Sequence, residues 1–126
     1  MQPEDRKAIE HFVRVTLGCK CPDEVFRSIA LEHVGGQGDD AAHAKLTIGD
    51  RLLIYVLEPG NRASPMAVTR IMRMGRNERD ARGLNRFRLV IASSRQDDFA
   101  GVARDDDRTH LHVVAPAEVP DGLRRR

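Results

Sequence analysis

The chain has no tryptophan, one tyrosine and four phenylalanines. Its core must therefore be aliphatic, built from Val, Ile, Leu and Met, and few rings remain to stack bases. It has only two cysteines, and 126 residues suffice to bury a core without disulfide staples. No apolar run approaches the ~20 residues that span a bilayer. The charged start, Met1-Gln2-Pro3-Glu4-Asp5-Arg6-Lys7, leads into no apolar stretch, so no signal peptide is expected. The expected location is cytoplasmic, where thiols are kept reduced.

No sign of charge dominates. The 21 basic and 19 acidic side chains leave a formal charge of +2, which gives no whole-molecule field for nucleic acid or a membrane. Walker loop, dinucleotide fingerprint, nucleophile elbow and metalloprotease motif are all missing. Asp39-Asp40, Asp97-Asp98 and Asp105-Asp106-Asp107 lack the spacing and the glycine of a calcium loop. Gly35-Gly36-Gln37-Gly38 precedes no clear helix, which argues against a phosphate cradle.

What is present starts with a helix over 3–17. Pro3 suits the first helical position, Ile9, Phe12, Val13 and Thr16 or Leu17 share a face, and Gly18 can end the helix. A short helix is expected over 22–27, with Cys21 at its N-cap, Pro22 at N1 and Glu24 placed for a capping box. A strand over about 28–34 and a short apolar alternation over 45–48 follow. Gly49-Asp50 reads as a turn. Residues 51–57 form an apolar run that predicts a strand covered on both faces. Ser64-Pro65 opens a long helix to about 82, with Val68, Ile71, Met72 and Gly75 inward and Gly83 as its stop. Strands are expected over 87–92 and 109–115, with a polar, Asp-rich segment between them that holds one turn near Phe99.

The segment 51–92 should be a right-handed crossover between parallel strands, and the other connections read as antiparallel. The expected fold is α/β of the α+β type. It is a two-layer sandwich with a mixed sheet of about four strands, an N-terminal helix pair and one long crossover helix. Residues 1–120 should form one domain and 121–126 a flexible basic tail.

Chemistry concentrates in Cys19-Lys20-Cys21-Pro22. A thiol at a helix N-terminus meets the positive end of the peptide dipoles, which favours the thiolate, and Lys20 adds to that field. A bridge across one intervening residue is strained and easily reduced, which fits an exchanging pair better than a permanent staple. Cys21 is the expected nucleophile or first metal ligand, Cys19 the resolving thiol or second ligand. Two half-buried packing residues are the bland alternative.

His110 and His112 alternate on a strand and point to one face. With Cys19 and Cys21 they would complete a Cys₂His₂ zinc set, if the fold gathers them. An iron–sulfur cluster would need four ligands, supplied by a homodimer or a mixed Cys/His site. Arg70, Arg73, Arg76, Arg79, Arg82, Arg86 and Arg88 form a basic series. A step of three walks around a helix rather than lining one face, so an ion-paired surface is the simpler account and nucleic acid is not the expected partner. The reading is thus a thiol-redox or metal-binding accessory protein, serving a redox or metal-delivery partner and able to form a homodimer. The alternatives are an interaction module with structural cysteines, or an RNA- or phosphate-binding protein using the Arg-rich helix.

Overall fold

Apolar alternation builds one sheet, and the helices take their places from its faces. The structure, a computed structural model, describes residues 3–34, 43–57, 65–93 and 108–123. Its five strands are β1 (Ile29–Val34), β2 (His43–Ile48), β3 (Leu52–Leu57), β4 (Arg86–Ala92) and β5 (Thr109–Val114). They lie side by side in sequence order. β1, β2 and β3 pair antiparallel, whereas β3–β4 and β4–β5 are parallel.

Two expectations change here. All five strand segments join the sheet, so it has five strands rather than about four. The β4–β5 pair is parallel, not antiparallel. Sixteen residues separate these strands, and a chain of that length can return along the sheet and re-enter in the same direction. The polar segment 94–107, with its expected turn, lies outside the described residues, as does the Gly-rich loop 35–40.

Every residue of β3 is buried, so both faces of the sheet need cover. Leu52, Ile54 and Val56 join Val90, Ala92 and Val114 in one core with Ile9, Phe12, Val13 and Leu17 of the N-terminal helix. Leu53, Tyr55 and Leu57 join Phe87, Leu89 and Ile91 in the other, against Val68, Ile71 and Met72. That second group comes from α2 (Pro65–Ala81). The result is three layers, helix–sheet–helix, instead of the expected two.

The N-terminal helix α1 (Pro3–His11) continues into a π-helical turn over Phe12–Thr16. Gly18 ends it at φ +70°, a conformation open to glycine because it has no Cβ. The second expected helix is a five-residue 3₁₀ turn, Asp23–Arg27. The chain beyond residue 120 is not simply a tail: Asp121–Leu123 forms another 3₁₀ turn, and Leu123 is buried against the α1-side core. Residues 124–126 lie outside the described residues. No helix among the described residues is long and apolar enough to cross a membrane.

Candidate functional site

The cysteine segment is held from both sides. Behind it, the Cys19 amide donates to Val13 O at 3.0 Å across the Gly18 reversal. Ahead of it, the Val25 amide donates to Pro22 O at 3.1 Å and Phe26 is buried. Arg14 joins the two sides: it pairs with Glu10 at 3.2 Å and Asp23 at 2.5 Å, and its guanidinium lies 4.6 Å from the centre of the Phe26 ring. Arg6 reaches from α1 to the Phe26 carbonyl at 2.7 Å. Between these anchors Cys19 and Cys21 are joined as a disulfide, both half-buried.

Cys21 is not the helix cap. The N-cap is Pro22, in an extended conformation, and no side chain bonds the turn's free amides, so Glu24 closes no capping box. A single 3₁₀ turn aligns few peptide dipoles. The positive field around the cysteines comes from side chains instead.

Those side chains line a cleft of ≈ 360 Å³ formed by Gly18–Pro22, Val25, Arg51, Leu52, Asn85, Arg86 and Arg88. Strand alternation explains its floor. Arg86 and Arg88 are two residues apart on β4 and therefore face the same way, toward the α1 side, as neighbours of Leu52 and Ile54. Among the described residues the lining carries four cations, Lys20, Arg51, Arg86 and Arg88, and no Asp or Glu.

Arg88 is the buried end of this group. Its Nη1 donates to the Leu17 carbonyl at 3.0 Å and lies 2.9 Å from His112 Nε2. Its Nε is buried without a partner. Burial, and secondarily the nearby Arg86 charge, lower its pKa, yet a guanidinium remains charged at any physiological pH. Arg86 Nη1 lies 3.2 Å from His110 Nε2. A guanidinium has donors only, so both imidazole Nε2 atoms act as acceptors.

The structure brings the two cysteines together, with Lys20 beside them, but it does not gather the four expected zinc ligands. His110 and His112 lie with ring centres 6.4 Å apart on β5, each facing an arginine of β4. Arg88 stands between them and the cysteine segment, since it touches both His112 and Leu17 O. Among the described residues, no group of three or more His, Cys, Asp or Glu is placed to hold a metal ion.

The basic series also divides. Arg70 and Arg73 are exposed on α2, whereas Arg79 is buried, with Nη1 3.0 Å from Thr109 Oγ1 and Nη2 2.9 Å from Asp80. Arg82 pairs with Glu78 at 2.8 Å. Arg86 and Arg88 belong to the opposite face of the sheet. The sequence reading missed that these two, with Arg51, surround the cysteines. The signal was available: Arg86, Arg88, His110 and His112 all follow the period of two that marks a common strand face.

A second polar cluster lies on the α2 side. Glu78 accepts from the Tyr55 hydroxyl and pairs with Lys45 at 2.9 Å and Arg82 at 2.8 Å. Burial opposes ionisation of Glu78, but hydrogen bonds from Tyr55, Lys45 and Arg82 outweigh it and hold the carboxyl below its ordinary range. Burial first, then the bond to Glu78, pushes the Tyr55 hydroxyl well above the usual phenol value. Two carboxylate oxygens serve three donors here, so the cluster is a satisfied brace between β2, β3 and α2.

No family model, no curated protein and no solved structure matches this chain.

Proposed function

We propose that this protein is a small thiol–disulfide exchange protein whose Cys19–Cys21 pair is the reacting group. One observation carries the reading: the half-buried pair borders a cleft whose lining, among the described residues, holds four cations and no acid. Cationic surroundings favour the thiolate, which is the attacking species in exchange.

The proposed step balances within thiols and disulfides. A thiolate of a substrate dithiol attacks one sulfur of the Cys19–Cys21 bridge, forms a mixed disulfide and releases the other cysteine as thiolate. The second substrate thiol loses its proton to solvent and attacks the mixed disulfide. The substrate leaves oxidised, and the protein has gained two electrons as a dithiol. Reaction with an oxidised substrate runs the same steps in reverse. Lys20 and the three arginines stabilise whichever cysteine is released as thiolate.

The test is redox titration in thiol–disulfide buffers, with melting followed on the same samples. The expected result is reversible interconversion of dithiol and disulfide. Both Cys21→Ser and Cys19→Ser should abolish it and lower the melting temperature by no more than reduction of the bridge does. A pair that never re-oxidises, or a Cys21→Ser variant whose only change is lost stability, would make the cysteines packing residues.

A further inference from the structure

Arg88 carries a feature that a general preference for thiolates does not require. Half-buried Arg14 and buried Arg79 each hold carboxylate: Glu10 and Asp23 for the first, Asp80 for the second. Arg88 has none. Its contacts are a backbone carbonyl and an imidazole, both uncharged acceptors, and its Nε is buried without a partner. Beside it, Arg86 contacts only an imidazole nitrogen. Burying a cation without a counter-charge is costly, and a second cation alongside adds to the cost. An anion entering the cleft removes both penalties.

The geometry points to a small anionic thiol, or its disulfide, as the substrate, with its carboxylate held by Arg86 and Arg88 while its sulfur meets the Cys19–Cys21 pair. This rests on the exchange reading above for the reaction, but not for the binding. The cleft's ≈ 360 Å³ falls in the range of small-molecule sites, which run from about 300 to 1,000 Å³. A guanidinium fork matches the planar, two-oxygen geometry of a carboxylate. Arg51 and Lys20 enlarge the positive mouth, which raises the encounter rate of anions and repels cations. A cationic disulfide finds no counter-charge among the described lining residues, and a neutral one gains nothing from their charge.

Two measurements on the intact chain test this separately from the exchange reading. The first titrates oxidised protein with S-methylglutathione, a thioether that carries carboxylates and cannot exchange. Binding is expected, weakening as salt is raised, and Arg86→Gln should weaken it about tenfold by removing one charged contact. Arg51→Gln, at an exposed position of the lining that the assigned carboxylate contact does not use, should weaken it less. The second compares reduction of the wild-type dithiol's partners: rates with oxidised glutathione, neutral hydroxyethyl disulfide and cationic cystamine. The anionic disulfide is expected to react at least ~10-fold faster than cystamine at low salt, the gap closing at high salt.

Exchange at equal rates with all three disulfides overturns the present inference and leaves the exchange reading standing. Binding of S-methylglutathione without exchange overturns the exchange reading and the substrate assigned here, while the anion contact stands. No binding of S-methylglutathione by the folded wild-type protein, or equal binding by an Arg86→Gln variant, overturns the role given to Arg86 and Arg88.

Discussion

Two residues, Gly75 and Glu78, set the fit of α2 against the sheet. A Cβ on Gly75 would run into the Phe87 ring, which also packs edge-on against Tyr55 with centres 4.9 Å apart. Gly75→Ala should therefore destabilise the protein by about 1–3 kcal/mol through overpacking, despite alanine's better helix propensity. Adding Phe87→Leu should recover part of that loss, and a double-mutant cycle by denaturant unfolding measures the coupling. Glu78 leads to a pH effect. Its folded pKa is depressed from the ordinary 4.5, so its stabilisation is present above that value and lost as pH falls through the folded pKa. Unfolding free energy measured from pH 7 downward should drop on the acid side of about 4.5, and the Glu78→Gln curve should be flatter there. The buried Arg79 belongs to the same scale. A step of three in sequence predicts a solvated series, but Thr109 and Asp80 give this one guanidinium partners inside.

Among the elements, the β2–β3 hairpin depends most on one position. Gly49 and Asp50 both have positive φ, +61° and +53°, the pattern of a type I′ turn. The Gly49 amide also donates to Ser28 O at 2.8 Å, and a Cβ there would crowd Val25. Gly49→Ala should cost about 1–3 kcal/mol from backbone strain and crowding together, read as a shift of the denaturation midpoint without a change of slope. The turn was legible in the sequence as Gly-Asp between apolar runs, and so were the β3 run and the inner face of α2. Two features were not. The helix expected over 22–27 keeps its place, but its type and cap were not legible: it is a 3₁₀ turn, Asp23–Arg27, with Pro22 rather than Cys21 at its N-cap. The direction of β5 depends on the long segment before it, where no local pattern records the course of the chain.

At the scale of the molecule, the cysteine bridge adds little to stability. It closes a loop with a single residue between the cysteines, and loop-closure entropy over so few residues is about 1.5 kcal/mol. Reduction should lower the melting temperature by roughly 3–6 °C and leave one cooperative transition. Scanning calorimetry with and without dithiothreitol checks this; loss of the transition on reduction would make the bridge a structural staple. Half of the candidate site could be read from the sequence, because Cys19, Lys20 and Cys21 are neighbours there. The other half could not. Arg51, Arg86 and Arg88 reach the same cleft only after β3 and β4 pair in parallel, a contact set by the crossover rather than by any spacing.

The change in connection sense at β3 also orders events during synthesis. β1 to β3 occupy one contiguous stretch and pair with their sequence neighbours, so a ribosome delivers this meander whole before α2 has emerged. Arg88, which holds the Leu17 carbonyl, lies 71 residues downstream of it. A nascent chain thus presents Cys19 and Cys21 without their cleft and without two of its four cations. Completion of the sheet's parallel half is what brings Arg86 and Arg88 to the pair, so the charge around the cysteines arrives only once β4 is in place.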